Sequence, residues 1–455
     1  MSRKKKTTEI EINVDKVEFP NKGIGQYEGK EIRFKGGIIG QRVKIRTIKN
    51  KNAYIEGKLI KVLEKSLLEK EPSCIHYTVC GGCTYQTLPY ETEIEYKERQ
   101  IRSLFDEAGL EQKFIGIEDS PIVQGYRNKM EYTFGDEEMG SPLSLGLHRK
   151  NRFYEVVNTD ECNIVHEDFT KIRQNVIRYF QSKGTKFYNK RRAEGYLRHL
   201  VIRKALSTGE ILINLVTTSQ NILNKDDFIN SLLDLDLEGE ITGILHSIND
   251  GLGDTVVADT LELLYGRDYI IEEILGLKFK ISPFSFFQTN TFGAEKLYSI
   301  VRDFVGDNKS NIVYDLYSGT GTIAQIISPV AKKVIGIEIV EEAVEKAKEN
   351  AKLNGLDNVE FIAGDVLKAV DDLTERPDLI IIDPPRDGIH TKAIDKIIDF
   401  HPETFVYVSC NPVTLVRDLK VFIDRGYCVD KIKCMDMFPR TPHVECIALI
   451  QRQII

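Results

Sequence analysis

The C-terminal part of this sequence predicts a doubly wound α/β sheet, and three observations carry the prediction. From about residue 282, short apolar runs alternate with helical runs. The runs are largely unbroken, as strands covered on both faces should be. The first of them opens into a glycine-rich turn, where such sheets place their ligands. In order, strand 312–316 meets the turn Ser318-Gly-Thr-Gly321. Strand 333–338 precedes a helix over 340–354. Strand 359–362 ends at Gly364-Asp365, and strand 378–383 ends at Pro384-Pro385. Strand 405–408 ends at Ser409-Cys410-Asn411-Pro412.

Upstream, Thr8-Ile-Glu-Ile-Glu-Ile-Asn13 alternates strictly between polar and apolar residues. Arg42-Val-Lys-Ile-Arg-Thr-Ile48 alternates again, with cations on one face, and residues 53–62 continue the pattern. Five or so such strands predict a small β-barrel of the oligonucleotide-binding (OB) type over residues 1–66. Residues 67–281 read as an α+β domain. It holds a helix over 91–108, a hairpin joining 197–204 to 211–216, and a cluster of cysteines. Residues 282–455 form the third domain. The helix over 91–108 is also a candidate to pack on that third domain.

The 455 residues carry 62 Lys and Arg against 69 Asp and Glu, a net charge of −7. That sum argues against a binder that offers its whole surface to nucleic acid, but distribution matters more. Residues 30–65 hold eleven Lys/Arg and three Glu, a local excess of eight positive charges. No apolar run reaches membrane-spanning length. The basic start Met1-Ser2-Arg3-Lys4-Lys5-Lys6 has no apolar stretch behind it. A cytoplasmic protein is expected, with no membrane partner and no obligate protein partner evident. Its eight cysteines are then ligands or nucleophiles rather than disulfides.

Cys410 ends a buried strand, and Asn411-Pro412 turns the chain so that the thiol is exposed. A thiol in that position is a candidate covalent nucleophile. C5 of a pyrimidine is a weak nucleophile. A thiolate adding at C6 makes C5 enolate-like, and a base must later remove the C5 proton. Glu445, in His443-Val-Glu445 ahead of an apolar run to Ile450, is the candidate base. Cys428, Cys434 and Cys446 read as buried structural thiols. The glycine-rich turn lacks the third glycine of a dinucleotide fingerprint, Ala324 standing there, which argues against NAD(P). Glu338, ending the second strand, can bond both ribose hydroxyls of an adenosyl group. Asp365, ending the third, is placed to meet the adenine edge.

Asp315-x-x-x-Gly319-x-Gly321, Glu338 and Asp365 together resemble the S-adenosylmethionine-dependent methyltransferase (Rossmann-like) fold. Asp383-Pro-Pro-Arg386 sits where that fold meets the group to be methylated. A related motif in amino-methyltransferases keeps N-methylation open, although an aromatic residue usually follows there and Arg386 follows here. With Phe286-Phe287-Gln288, Ser409-Cys-Asn-Pro412 and His443-Val-Glu445 added, nearly the whole chain resembles the RNA uracil-5-methyltransferase family. Its N-terminal segment is similar to a TRAM domain. The resemblance implies S-adenosyl-L-methionine as cofactor, Cys410 as nucleophile and Glu445 as proton-abstracting base. It implies Gln288, Tyr317, Glu338 and Asp383 against the cofactor or the site around it, with Asp365 at a further cofactor-lining position. Some members carry Asn for Asp365 and Phe for Tyr317.

Cys74-x5-Cys80-x2-Cys83, with Cys162 far downstream, offers four thiolates. Spacing leaves zinc and an iron–sulfur cluster open. The second Cys-x2-Cys of a zinc ribbon is absent, and the Cys-x3-Cys-x2-Cys of radical S-adenosylmethionine enzymes is not met. The family resemblance implies a [4Fe-4S] cluster on all four cysteines, structural or RNA-contacting, because methylation needs no electron transfer. Tyr126-Arg-Asn-Lys129, His148-Arg-Lys150, Lys190-Arg-Arg192 and Arg198-His199 interleave cations and aromatics, which suits unstacked RNA. The TRAM-like segment and the four cysteines are shared more with ribosomal RNA members of the family than with minimal tRNA members. That implies 23S rRNA as the substrate. A tRNA uracil-5-methyltransferase and a non-catalytic iron–sulfur RNA-binding assembly factor are the alternatives.

Overall fold

A computed structural model of the chain describes residues 8–253, 258–366 and 375–453. The basic residues 1–6 lie outside the described residues. Strands β1 (Glu9–Asn13), β2 (Lys16–Glu18), β3 (Lys22–Tyr27), β4 (Lys30–Lys35), β5 (Arg42–Asn50) and β6 (Tyr54–Glu64) form one sheet, in the order β1-β5-β6-β4-β3-β2. Alternation drives it: Ile10, Ile12, Val43 and Ile45 are buried, while Glu9, Glu11, Arg42 and Arg46 face out. The cationic face of β5 is not bare. Arg42 pairs with Glu11 and Glu64 at 2.7 and 2.8 Å, and Lys44 and Arg46 both pair with Glu9 at 2.9 and 2.8 Å. The acids on β1 and β6 that the sequence scatters are brought opposite those cations by register.

The chain then passes through a loop into helix α1 (Tyr90–Glu107) and strand β7 (Phe114–Glu118). A seven-stranded sheet follows. It uses β8 (Lys129–Asp136), β9 (Leu143–Arg149), β10 (Arg152–Asn158), β11 (Leu197–Lys204), β12 (Glu210–Thr217), β13 (Glu240–Ile248) and β14 (Thr260–Gly266), in the order β10-β9-β8-β11-β12-β13-β14. Helices α2 (Glu167–Ser182) and α3 (Lys225–Leu233) bury Phe169, Ile172, Val176 and Phe228 in one core with Leu200, Ile202, Ile213 and Leu215 of β11 and β12. A hairpin, β15 (Ile270–Ile274) and β16 (Leu277–Ile281), leads to the last part of the chain.

That part is built on β17 (Asn308–Leu316), β18 (Ala331–Glu338), β19 (Val359–Ala363), β20 (Leu379–Ile382), β21 (Thr404–Ser409), β22 (Tyr427–Met435) and β23 (Glu445–Arg452). The order is β19-β18-β17-β20-β21-β23-β22-β7, and only β23 runs antiparallel to its neighbours. Helices α4 (Thr291–Val305), α5 (Thr322–Ile327), α6 (Glu341–Leu353), α7 (Thr391–Ile398) and α8 (Pro412–Asp424) supply its covering layers. Both faces are buried. Val313, Ile381 and Val406 share one core with Leu297 and Val301 of α4, while Tyr314, Ile380 and Tyr407 share the other with Ile394 of α7 and Leu419 of α8. This double cover is why the strands read as unbroken apolar runs.

The second core also takes in Ile101 and Phe105 of α1 and Phe114 of β7. Residues 90–118 therefore pack with the C-terminal sheet, although in sequence they fall within the middle region 67–281. The sheet is completed by a strand from far upstream because β22 would otherwise be an open edge. The strand order reverses between β17 and β20, so the crevice at the carboxyl ends of these strands is the expected ligand site.

Candidate active site

Three turns at those carboxyl ends carry most of the candidate residues. Strands β21 and β23 pair with Ser409 opposite Cys446 and Val408 opposite Ile447. Carried one residue further, the same register sets Cys410 opposite Glu445. Asn411 stops the strand: its side chain caps α8 by accepting from the Val413 amide at 3.2 Å. Ser409 Oγ accepts from the Asn411 amide at 3.2 Å. The thiol is left half-buried at the lip of the crevice, and Glu445 is 4% exposed behind it.

Burial and the nearby carboxylates set the protonation of this group. Burial, then Glu445 and Asp383, push the Cys410 thiol up to about 11, against the pull of Arg386. Burial, then Asp383, hold Glu445 well above the usual carboxylate range, again opposed by Arg386. Burial alone pushes Asp383 up to about 7. The turn after β20 is tied to the turn after β21: Asn411 Nδ2 and Thr414 Oγ1 donate to the Arg386 carbonyl at 3.1 and 3.4 Å. The Arg386 guanidinium meets His443 Nδ1 at 3.2 Å. Burial, then the Arg386 charge, push His443 down to about 4, so the ring is neutral at neutral pH.

The glycine-rich turn after β17 forms the other wall. Gly321 takes φ 74°, and a Cβ there would stand 2.4 Å from the Phe361 ring, so only glycine fits. Tyr317 itself has φ 64°, a left-handed conformation that costs a non-glycine residue energy. Asp315 is fully buried; its Oδ2 accepts from the Ala324 amide at 3.0 Å, while its Oδ1 has no hydrogen-bond partner among the described residues. Ser318 Oγ is in the same condition. Glu338 takes one amide on each oxygen, Gly319 on Oε2 and Val340 on Oε1, both at 3.0 Å. Burial, then the charge of Asp365, push the Tyr317 phenol up to about 12, which places Asp365 beside that ring.

Gln288 lies buried ahead of α4, where its side chain hydrogen-bonds Tyr298. Tyr298 was not singled out by sequence, because an aromatic at helical spacing reads as core. In the structure it faces Asp383, Glu445 and Asp315, which together with burial hold its phenol far above the usual range. Gln288, Tyr298, Asp315, Asp383, Cys410 and Glu445 are thus brought to one crevice, with Tyr317, Glu338 and Asp365 along the β17–β18–β19 side.

The remaining cysteines divide by position. Cys434 and Cys446 are fully buried on neighbouring strands, whereas Cys428 is half-buried, at the start of the edge-side strand β22. Cys74, Cys80 and Cys83, from the loop between β6 and α1, line one cavity with Cys162, which lies just before α2. Tyr77, Leu147 and Ile164 give it an apolar side. Burial is the first cause pushing Cys83 up to about 12 and Cys162 to about 11, and neighbouring thiols add to it. Gln86 ties the two segments, donating to Cys83 Sγ at 3.5 Å and to Asn163 Oδ1 at 2.9 Å. Among the described residues, no three His, Cys, Asp or Glu side chains are grouped as ligands of a single metal ion.

Residues 257–453 match the family described as tRNA (uracil-5-)-methyltransferase. A protein of Clostridium tetani, described as an uncharacterised RNA methyltransferase, is 52% identical over 99% of this chain and 99% of its own length. One of Bacteroides thetaiotaomicron with the same description is 38% identical over 91% of this chain and 95% of its own. Among solved structures, the Pyrococcus abyssi tRNA (uracil-54, C5)-methyltransferase in complex with S-adenosyl-L-homocysteine matches 97% of this chain and 100% of that one, with 25% identity and a TM-score of 0.76.

Proposed function

The chain belongs to the RNA (uracil-5-)-methyltransferase family, and from that premise we propose that it methylates uracil C5 in RNA through a covalent adduct of Cys410. The observation that carries the reading is the setting of Cys410 opposite Glu445 by the β21–β23 register, with Asp383 on the third side. Cys410 Sγ bonds to C6 of the uracil, and C5 gains the electron density to take a methyl group. Glu445 then removes the C5 proton, the C5–C6 double bond re-forms and the C6–S bond breaks, returning the thiol. Attack needs a thiolate, and a thiol held near 11 must lose its proton to a neighbour. Asp383, near 7, is ionised in part at neutral pH and can accept it, and the Arg386 charge favours the thiolate. A buried Glu445 is a strong base once ionised, as removal of a C–H proton requires.

S-adenosyl-L-methionine supplies the methyl group when bound. Gln288, Tyr317, Glu338, Asp365 and Asp383 would hold it. The residues fit such a group: the space beside Gly319 is open, no atom lying within 4 Å of where its Cβ would stand, Asp315 and Ser318 carry unsatisfied polar atoms at the turn, and each Glu338 oxygen keeps a lone pair for a ribose hydroxyl. The same reading assigns Cys74, Cys80, Cys83 and Cys162 to a [4Fe-4S] cluster with a structural role. Four thiols from two segments converging on one cavity support it.

On this reading, residues 1–66 form a TRAM-like RNA-binding module, and 23S rRNA is the first choice of substrate, on the strength of that module and the four cysteines. The tRNA substrate of the Pyrococcus abyssi enzyme favours a second choice, tRNA. Transfer of labelled methyl from the cofactor to unmodified 23S rRNA and to unmodified tRNA transcripts decides between them. A 5-fluorouridine RNA should form a stable adduct with the wild type and none with Cys410→Ala. An alanine variant that still yields 5-methyluridine would sink the covalent mechanism.

A further inference from the structure

Resting on the RNA methyltransferase reading, we infer that the β9–β10 hairpin carries a stacking platform for unpaired nucleotides of the RNA substrate. Phe153 and Tyr154 are its stacking surfaces, and Lys190 and Arg191 its phosphate contacts. The two aromatic side chains are 55% and 60% exposed. Consecutive strand residues normally face opposite ways, so one ring of such a pair is usually covered. Here the β9–β10 ladder shifts register between Arg152 and Val156, which releases this stretch from alternation and leaves both rings largely exposed, with the His148 ring already stacked on Phe153 at 4.9 Å.

A separate segment brings cations onto those rings. Lys190 Nζ stands 4.8 Å from the Phe153 ring centroid, and the Arg191 guanidinium 4.5 Å from that of Tyr154. Phe153 and Tyr154 meet edge to face at 5.5 Å. A base can stack on any exposed π face whatever its identity, and a cation beside the ring can move to the phosphate of the same nucleotide. In a chain of net charge −7, cations gathered against exposed aromatics complement a polyanion that also carries rings.

The platform has a fixed place in the fold. The hairpin is held to the cysteine-bearing loop by Gly81 N–H to His148 O at 3.0 Å and Lys150 N–H to Val79 O at 2.8 Å. The platform therefore sits beside the cysteine-bearing loop, on the seven-stranded sheet. Nucleotides flanking the target would lie on the platform, while the target base, unstacked, enters the crevice.

The test uses the full chain. Phe153→Ala with Tyr154→Ala removes both rings at exposed positions. Lys190→Gln with Arg191→Gln keeps the rings and removes the charges. Affinity is read with a labelled unpaired RNA oligonucleotide and with a duplex of equal length, and chemistry as adduct formation on 5-fluorouridine RNA at saturating RNA. The ring variant should bind the unpaired RNA roughly 10- to 100-fold more weakly, bind the duplex nearly as before, and form adduct at the wild-type rate once saturated. The charge variant should flatten the salt dependence by a slope of about 1.4, that of two phosphates on a single strand. Unchanged affinity of the ring variant for unpaired RNA overturns the proposal, as does an equal loss on duplex. If ring loss weakens binding but the wild type methylates no RNA, the platform stands and the methyltransferase reading falls.

Discussion

The crevice around Cys410 and the cavity around Cys83 both hold a thiol that burial pushes up, to about 11 in one and about 12 in the other. What surrounds each thiol differs. Cys410 faces two carboxylates and a guanidinium, groups that can take and return a proton. Cys83 faces other thiols and an amide, groups that can share a metal cluster but cannot run an acid–base cycle. Burial alone therefore does not distinguish a reactive cysteine from a ligating one; the company does. Between the two regions runs a buried ionic joint. Lys97 bonds Glu93 at 2.7 Å and Asp436 at 2.9 Å. The amides of Thr84 and Tyr85, just after Cys83, donate to the carbonyl of Arg440, five residues before Glu445.

The largest expected break in the comparison is Cys410→Ala. It should lower methyl transfer by about 10⁴-fold or more, with melting temperature and cofactor affinity kept. On the proposed cluster reading, Cys83→Ser should do the opposite, losing visible absorbance and thermal stability while adduct still forms on saturating RNA. Equal loss of chemistry in both would erase the distinction. Glu445→Gln should slow product formation by about 10²- to 10⁴-fold and leave protein–RNA adduct on denaturing gels. Absence of any trapped adduct would assign the base elsewhere.

Cutting the joint by Lys97→Met strands two buried carboxylates. It should cost about 3 kcal/mol in denaturant unfolding, and a neutral result would show that the two regions fold independently. The smallest effect concerns Asp383. Its pKa rises from 3.8 in the unfolded chain to about 7 in the fold. The stability it contributes is fully present below 3.8 and is lost as pH rises through about 7. Asp383→Asn should remove that loss, leaving an inactive protein that is more stable than the wild type at pH 8, by a margin that shrinks as pH falls toward 4.

The apolar runs, the glycine-rich turn and the strand-end residues were legible in sequence because a sheet covered on both faces leaves a local pattern. Cys410 and Glu445 were legible as types but not as neighbours: 35 positions separate them, and only the antiparallel return of β23 sets them face to face. Tyr298 was not legible, since one helix face can serve a core and a crevice alike. The cationic face of β5 was legible, but its neutralisation by Glu9, Glu11 and Glu64 was not. Pairing across a sheet depends on register, and composition does not record register.

By itself, the sequence determined which residues could be strands, which turn needed glycine and which side chains carry chemistry, because these follow from local periodicity and residue type. Only the tertiary structure decided that β7 and α1 complete the C-terminal sheet, that four distant thiols share one cavity, and that the hairpin at Phe153 is tied to the loop beside it. Those outcomes rest on long-range pairing, where the gain comes from burying an edge or a face that no single segment can cover alone.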